Sequence, residues 1–161
     1  MVLSFSSKLI TDKIMENDTF VIEQIYQAAS EIVWKAITSK EEMKKWYFNF
    51  KEFIPEVGFA FQFWGGPDEK RQYLHLCEIT EVIPEKKLAY SWRYDGYEGN
   101  TLVTFELFAI GNLTRLKLTH EGLGTFPDSN PDFAKDSFVE GWNWIIGTSL
   151  KEFLDNKSKH K

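Results

Sequence analysis

A regular alternation of apolar and polar residues in the middle of the chain constrains its fold more than any other feature. Every second residue of Lys87–Tyr94 is large and apolar, and Thr101–Ile110 and Leu113–Glu121 repeat the pattern. This alternation predicts an antiparallel sheet with one buried face and one solvated face. The late segment Asp132–Asn156 is spaced for a long amphipathic helix that covers the buried face. Its inward residues are predicted to be Phe138, Trp142, Ile145, Ser149 and Phe153.

Three more strands and two short helices are predicted before this region. Thr19–Gln27, Val57–Trp64 and Tyr73–Ile83 are rich in the β-branched and aromatic residues that strands favour. Glu31–Ile37 and Lys40–Trp46 carry apolar residues at helical spacing. Short connections separate the later strands, so consecutive strands are expected to be antiparallel neighbours.

Two glycine-containing segments are interpreted as turns. Gly65-Gly66-Pro67-Asp68 does not precede a helix, which argues against a phosphate-binding loop. Gly111-Asn112 reads as a two-residue hairpin, since both residues can adopt positive φ.

The size and the aromatic content predict one domain with a large interior. The chain has 161 residues, of which 16% are Phe, Tyr or Trp. These side chains either fill a rich core or form the walls of a pocket. We assign residues 1–18 to an N-terminal arm, 19–156 to the domain and 157–161 to a polar tail.

Charge and cysteine content restrict the partners and the compartment. A net charge of −5 argues against nucleic acid as a partner, because that binding depends on Lys and Arg. Cys77 is the single cysteine, which excludes an internal disulfide and a cysteine-based zinc site. Charges at Lys8, Asp12 and Lys13 interrupt any apolar signal-peptide core, and no apolar run is long enough for a membrane span. A cytoplasmic protein, either a monomer or a homodimer, is therefore expected.

Several segments together resemble the START-like (SRPBCC) superfamily. Ala28–Thr38 looks like its opening helix, Leu88-Ala89-Tyr90-Ser91-Trp92 like a central strand, and Thr114–Gly122 like its late hairpin. Gly141-Trp142 resembles part of its last helix. The similarity is closest to single-domain relatives of the C-terminal domain of the Hsp90 ATPase activator.

The resemblance implies a fold and a range of functions. The implied fold is α+β and of the helix-grip (START/Bet v 1-like) type: a curved antiparallel sheet wrapped around a long C-terminal α-helix, with two short N-terminal helices. Members of the superfamily bind hydrophobic ligands, act as cyclases or hydrolases, or regulate partner proteins. A chaperone-regulator role, with its link to the stress response, is one such possibility. The separate N-terminal domain of the eukaryotic activator does not fit into residues 1–18.

The catalytic candidates in the sequence are few. His120 and Glu121 should point to opposite faces of a strand, so they are poorly placed to act as an acid/base pair. His75 and Cys77 share a face, which permits a cysteine–histidine pair or half of a metal site. No third ligand stands at a recognisable spacing, so we assign no catalytic residue, no metal and no cofactor.

The leading hypothesis from sequence is a non-enzymatic module that binds a small hydrophobic or aromatic molecule between the sheet and the last helix. A chaperone-regulator role and a cyclase- or hydrolase-type enzyme are the alternatives. Trp92 and Trp142 either fill the core or line the cavity, whereas Trp34 and Trp46 are expected to be structural. The candidate ligand contacts are Phe63, His75, Cys77, Tyr90, Trp92, Tyr94, Phe105, Leu118, His120, Phe138, Trp142 and Ile145.

Overall fold

The computed structural model describes residues 18–159 and is built on one six-stranded antiparallel sheet. The strand order is β1-β6-β5-β4-β3-β2, so that β1 and β2 form the two edges. The strands are β1 Thr19–Tyr26, β2 Ala60–Asp68, β3 Arg71–Ile83, β4 Lys87–Tyr94, β5 Thr101–Ile110 and β6 Leu113–Glu121.

The helices lie in the regions that the sequence predicts, although the bounds of the last one differ. Helices α1 (Ser30–Thr38) and α2 (Lys40–Trp46) lie between β1 and β2 in the chain. Helices α3 (Lys135–Trp144) and α4 (Leu150–Lys159) are joined by the π-helical turn Ile145–Ser149. Together these last three elements form one C-terminal helix against a curled sheet, which confirms the α+β helix-grip fold.

The structure describes the two ends of the chain only in part, so their assignment to an arm and a tail stays a prediction. Residues 1–17 of the expected arm lie outside the described residues. Asp18 is described, and its carboxylate accepts hydrogen bonds from the backbone N–H groups of Gly122 and Gly124 at 3.2 and 2.8 Å. Helix α4 continues to Lys159, beyond the domain limit drawn at residue 156.

The buried face of the sheet is the one that the alternation predicts. Leu88, Tyr90, Trp92 and Tyr94 of β4 are all at most 5% exposed. The equivalent residues of β5 and β6 are also buried, and they form one continuous core with the C-terminal helix.

Among residues 18–159, no helix is both long and apolar enough to cross a membrane.

The inward face of the C-terminal helix differs from the predicted one after its second turn. Ile145, Ser149 and Phe153 are only half-buried, and Ile145 and Phe153 pack against the edge of the core, so the fully buried stripe is displaced from the predicted positions. The π turn explains the shift, because its hydrogen bonds span five residues and it therefore holds more residues per turn than an α-helix. The buried stripe is Phe138, Trp142, Ile146, Leu150 and Leu154.

The sequence suggested a turn at Gly65–Asp68, and this prediction is wrong. The segment is the end of β2. The register with β3 shifts between Gly65 and Asp68, which marks an irregular strand end. Pro67 is tolerated because β2 is an edge strand, where a missing N–H need not break a ladder. Gly66 is required sterically, since a Cβ there would overlap the carbonyl oxygen of Arg71.

The loop between β6 and the C-terminal helix is longer than the sequence indicates. The helix begins at Lys135 rather than Asp132. Pro131–Phe133 instead forms a single 3₁₀ turn, and the side chain of Asn130 caps it by accepting a hydrogen bond from the backbone N–H of Asp132 at 3.0 Å.

A partly buried ion pair fixes the end of the C-terminal helix to α2. Lys157 Nζ lies 2.6 and 2.7 Å from the two carboxylate oxygens of Glu42, whose side chain is only 9% exposed. Replacing Lys157 by Met is expected to lower the free energy of unfolding by about 1–3 kcal/mol, because it leaves a buried carboxylate with a weakened set of partners. Urea unfolding at pH 7 measures this loss.

Lys151→Met is the matched control for that experiment. Lys151 pairs with Asp155 at 2.6 Å on the exposed side of the same helix, and exposed pairs of this kind contribute about 0.5 kcal/mol or less. Equal losses in the two variants would show that the Glu42–Lys157 pair does not fix the helix end.

Candidate ligand-binding site

A pocket of about 250 Å³ lies between one end of the sheet and the first turns of the C-terminal helix. Its walls are mainly aromatic. The aromatic lining residues, with histidine included, are Phe48, Tyr73, His75, Trp92, Tyr94, Phe133, Phe138 and Trp142. The others are Gly65, Gly66, Pro67, Asp132, Ser137, Gly141 and Ile145.

Close ring packing holds the walls in place. The imidazole of His75 stacks on Phe63, with ring centres 4.3 Å apart and planes 21° apart. The indole of Trp92 meets His75 edge-on at 4.8 Å. On the opposite side Phe133 stacks on Tyr94 at 4.4 Å and 13°. Stacked and edge-to-face pairs contribute beyond their buried area, so the pocket is a preformed and rigid surface on its sheet side.

His75 presents a neutral ring to the pocket. Burial lowers its pKa to about 4, although hydrogen bonds to the backbone carbonyls of Tyr73 and Phe63 act in the opposite direction. Because a carbonyl oxygen can only accept, the contact of 3.0 Å between Nδ1 and the Tyr73 oxygen places the proton on Nδ1. At neutral pH the pocket therefore offers no imidazolium charge to a ligand.

His120 lies behind the pocket wall, in a buried hydrogen-bonded chain. The indole N–H of Trp142 donates to His120 Nδ1 at 3.0 Å, so Nδ1 carries a lone pair and the proton resides on Nε2. Nε2 then donates to Thr101 Oγ1 at 2.8 Å, and that hydroxyl donates to the Trp92 carbonyl at 2.6 Å. Burial lowers the pKa of His120 to about 3. The chain joins the helix to β4, β5 and β6 through a neutral histidine.

Cys77 is poorly suited to nucleophilic chemistry. Its side chain is 4% exposed, and burial raises the pKa of its thiol well above the usual value. It does not line the pocket, although it shares the inward face of β3 with His75. A thiolate is the reactive form of cysteine, so this site supplies none at neutral pH.

A polar cluster closes the mouth of the pocket. The Tyr73 hydroxyl donates to Asp132 Oδ2 at 2.6 Å, and Arg71 Nη1 donates to Asp132 Oδ1 at 3.0 Å. Asn130 Nδ2 in turn donates to the Tyr73 oxygen at 3.1 Å. The hydrogen bond to Asp132 raises the pKa of Tyr73. Both oxygens of the carboxylate thus have donor partners, and the Arg71 guanidinium is shared between Asp132 and Asp68, which it contacts at 3.2 Å.

The structure brings together part of the predicted ligand set. Phe63 lies directly behind the wall formed by His75 and Trp92. Those that line the pocket are His75, Trp92, Tyr94, Phe138, Trp142 and Ile145. Those that lie elsewhere in the core are Cys77, Tyr90, Phe105, Leu118 and His120. Contact with a ligand stays a prediction for all of them.

Sequence reasoning missed three lining residues of consequence. Tyr73 shares the strand parity of His75, so the alternation of β3 contained a signal for it. Asp132 and Phe133 belong to the loop before the helix, where no periodic pattern applies.

Other concave regions are less suited to a small apolar ligand. The gap between Tyr47, Tyr90 and Phe105 has no room for a water molecule. A wider groove of about 930 Å³ lies beside α1 and α4 and has charged residues along it, including Glu31 and Lys45. Within residues 18–159 no group of three acidic, His or Cys side chains could hold a metal ion.

Comparisons with solved structures identify the same fold in other proteins. Mll3558 from Rhizobium loti is 22% identical, with a TM-score of 0.73, over 84% of this chain and 96% of that one. CV1439 from Chromobacterium violaceum is 20% identical, with a TM-score of 0.71, over 85% and 96% of the two chains. DynU16, from the dynemicin biosynthetic locus, is 18% identical with a TM-score of 0.69, over 86% of this chain and 47% of its own.

Sequence comparison identifies the family. A search of curated proteins found no significant match. The model of the family "Activator of Hsp90 ATPase homolog 1-like protein" matches residues 27–155, which includes both N-terminal helices, strands β2 to β6 and most of the C-terminal helix. The chain therefore belongs to the family of Activator of Hsp90 ATPase homolog 1-like proteins and has their START-like fold.

Proposed function

We propose that this protein binds a small, uncharged, apolar or aromatic molecule in the pocket between the sheet and the C-terminal helix, without transforming it. The observation that carries this proposal is the aromatic-walled pocket of about 250 Å³. Pockets of this kind bury most of a small ligand and use a few polar groups to orient it.

The lining favours a ligand without net charge. His75 is neutral near pH 7, and the carboxylate of Asp132 is already paired with Arg71, which it shares with Asp68. A charged ligand would lose its hydration and gain no opposite charge inside the pocket. Apolar walls discriminate weakly, at about 1–3 kcal/mol per methylene, so His75, Tyr94 and Asp132 are the groups from which selectivity would come.

Binding without catalysis fits the titration of the lining groups. A general base works best when its pKa lies near the working pH, whereas the pKa of His75 is about 4. The DynU16 neighbour belongs to a biosynthetic locus, which supports a role close to small-molecule chemistry.

A cytoplasmic location and a monomeric or dimeric state stay predictions from the sequence.

A neutral fluorescent probe tests the proposal directly. N-phenyl-1-naphthylamine is expected to bind and to raise the free energy of unfolding, by about 2.7 kcal/mol at a hundredfold excess over its Kd. Gly141→Leu is expected to weaken binding at least tenfold, because Gly141 lines the pocket and has open space where a side chain would start. Fluorescence titration and thermal unfolding measure the two effects.

Asn143→Leu provides the control, since it adds the same side chain at an exposed position of the same helix outside the pocket. Unchanged probe affinity in Gly141→Leu would place the binding elsewhere. Absence of binding to the unmodified protein, together with a clean ligand-free mass in native mass spectrometry of freshly purified protein, would count against a binding module.

A chaperone-regulator role is the second candidate, and family membership favours it. Such a role would use an outer surface, and the groove of about 930 Å³ beside α1 and α4 is one candidate. Titration of the purified full chain into an Hsp90 ATPase assay tests this candidate. A constant ATPase rate over the whole titration would remove it.

A further inference from the structure

We propose that the segment Pro127–Ser137, which is the loop before α3 with the first three residues of that helix, is a lid on the pocket, held shut by the contacts of Asp132 with Tyr73 and Arg71. The lid depends on the proposed function in one respect only: its purpose would be to admit the ligand. Opening of the lid is a property of the ligand-free protein and can be measured without any ligand.

The two ends of this loop are held close together by a ring pair. Phe126 precedes the loop and Phe138 follows it, and their rings stack with centres 5.7 Å apart and planes 15° apart. Phe126 is 4% exposed and Phe138 is 7% exposed. A compact surface loop with adjacent, anchored ends can move as a unit while the rest of the fold stays in place.

The segments on both sides of the loop are anchored independently. On the upstream side, the Thr125 hydroxyl accepts a hydrogen bond from the Asn100 backbone N–H at 3.0 Å. On the downstream side, Trp142 is fixed by its 3.0 Å hydrogen bond to His120. Lifting the loop would leave both anchors intact, so the opening motion is confined to Pro127–Ser137.

The loop itself is fastened to the sheet mainly through its tip. Asp132 accepts from the Tyr73 hydroxyl at 2.6 Å and from Arg71 at 3.0 Å, and Asn130 donates to Tyr73 at 3.1 Å. Phe133 is buried against Tyr94, whereas Asp128 and Ser129 are exposed. The Phe133 ring is 3% exposed and also packs on Tyr73, Tyr97 and Phe126, so the free-energy cost of opening includes these ring contacts as well as the polar ones.

Opening of the lid would uncover the pocket. Asp132, Phe133 and Ser137 are lining residues contributed by the loop, opposite His75 and Trp92 on the sheet. The Ser137 hydroxyl also donates to the Pro131 carbonyl at 3.0 Å, which ties the lid into one piece. Displacing this piece removes one wall of the pocket without disturbing the sheet.

Hydrogen exchange of the ligand-free protein tests the lid. Asp132→Asn and Tyr73→Phe each remove one fastening contact, and the amides of Asp132, Phe133 and Ala134 are expected to exchange about tenfold faster in either variant. Asp128→Asn is the matched control, because it makes the same change of charge at an exposed position of the same loop. Amides of β4 and β5 should exchange at unmodified rates in all three variants.

The kinetics of N-phenyl-1-naphthylamine separate the lid from the proposed function. With a lid, association of the probe accelerates about tenfold in Asp132→Asn and Tyr73→Phe, whatever change in Kd accompanies the loss of these two lining groups. Accelerated exchange without any probe binding would retain the lid and overturn the binding role. Unchanged exchange in both variants, with circular dichroism and melting temperature preserved, would overturn the lid.

Discussion

Lowering the pH from 7 to 5 is expected to reduce the free energy of unfolding by about 4 kcal/mol through His75 and His120 alone. Burial holds the pKa of these residues at about 4 and about 3 in the folded protein, against an ordinary value near 6.5 in the unfolded chain. The unfolded state therefore binds more protons below pH 6.5, and acid favours it. The loss begins near pH 6.5 and continues until the folded-state pKa values are reached.

Urea unfolding curves at half-unit intervals between pH 7.5 and 5 measure this effect. Carboxylates titrate mainly below about pH 5, so the slope near pH 5.5–6 reports mostly the histidines. Each buried histidine contributes up to about 1.4 kcal/mol per pH unit to that slope. An unfolding free energy that stays constant from pH 7 to 5 would contradict the buried neutral state of both rings.

Glutamine variants assign the slope to the individual residues. His120→Gln keeps an acceptor for Trp142 and a donor for Thr101, but its side chain does not titrate. His75→Gln removes the second titrating imidazole. Each variant is expected to lose about half of the slope, whatever its stability at pH 7. An unchanged slope in either variant would show that the pKa of the replaced histidine is similar in the folded and unfolded states.

The sheet could be predicted because its physics is local. Side chains on a strand alternate between faces, so a single buried face leaves a period of two in the sequence. Leu116, Leu118 and His120 follow this rule and are completely buried. The prediction placed His120 on the correct face, but its partners Thr101 and Trp142 come from elements far apart in the chain, and no local pattern specifies them.

The C-terminal helix shows where a periodic argument fails. The sequence has apolar residues at both Ile145 and Ile146, so a regular α-helix can be drawn through either. The π turn selects Ile146 and leaves Ile145 half-buried at the pocket. That choice depends on how the helix packs on the sheet, because tertiary contacts set its register and no residue type marks a π turn.

The pocket lining could be predicted on the sheet and on the C-terminal helix, where Phe138, Trp142 and Ile145 line it, but not in the loop between them. His75, Trp92 and Tyr94 follow from strand parity, and Tyr73 would have followed from the same rule. Asp132 and Phe133 lie in the loop before α3, whose path depends on contacts with β3 that are remote in sequence. The mouth of the site was therefore beyond what periodicity could indicate.

Trp142→Ala is expected to destabilise the fold far more than Trp144→Ala, although the two residues are neighbours on one helix. Trp142 is 2% exposed and Trp144 is 60% exposed. Truncating a buried tryptophan costs about 3–5 kcal/mol, and here it also leaves His120 Nδ1 without its donor. An exposed truncation stays within about 0.5 kcal/mol. Urea unfolding at pH 7 compares the variants while both buried histidines are neutral.

Trp142→Phe separates the volume of the indole from its hydrogen bond. It retains an aromatic ring, so most of the packing stays, but His120 Nδ1 becomes a buried acceptor without a donor, at a cost of about 1–3 kcal/mol. Its stability should lie between those of the unmodified protein and Trp142→Ala. If Trp142→Phe were as stable as the unmodified protein, the hydrogen bond to His120 would not stabilise the fold. The hydrogen bonds that link Trp142, His120 and Thr101 would then serve only to orient the pocket wall.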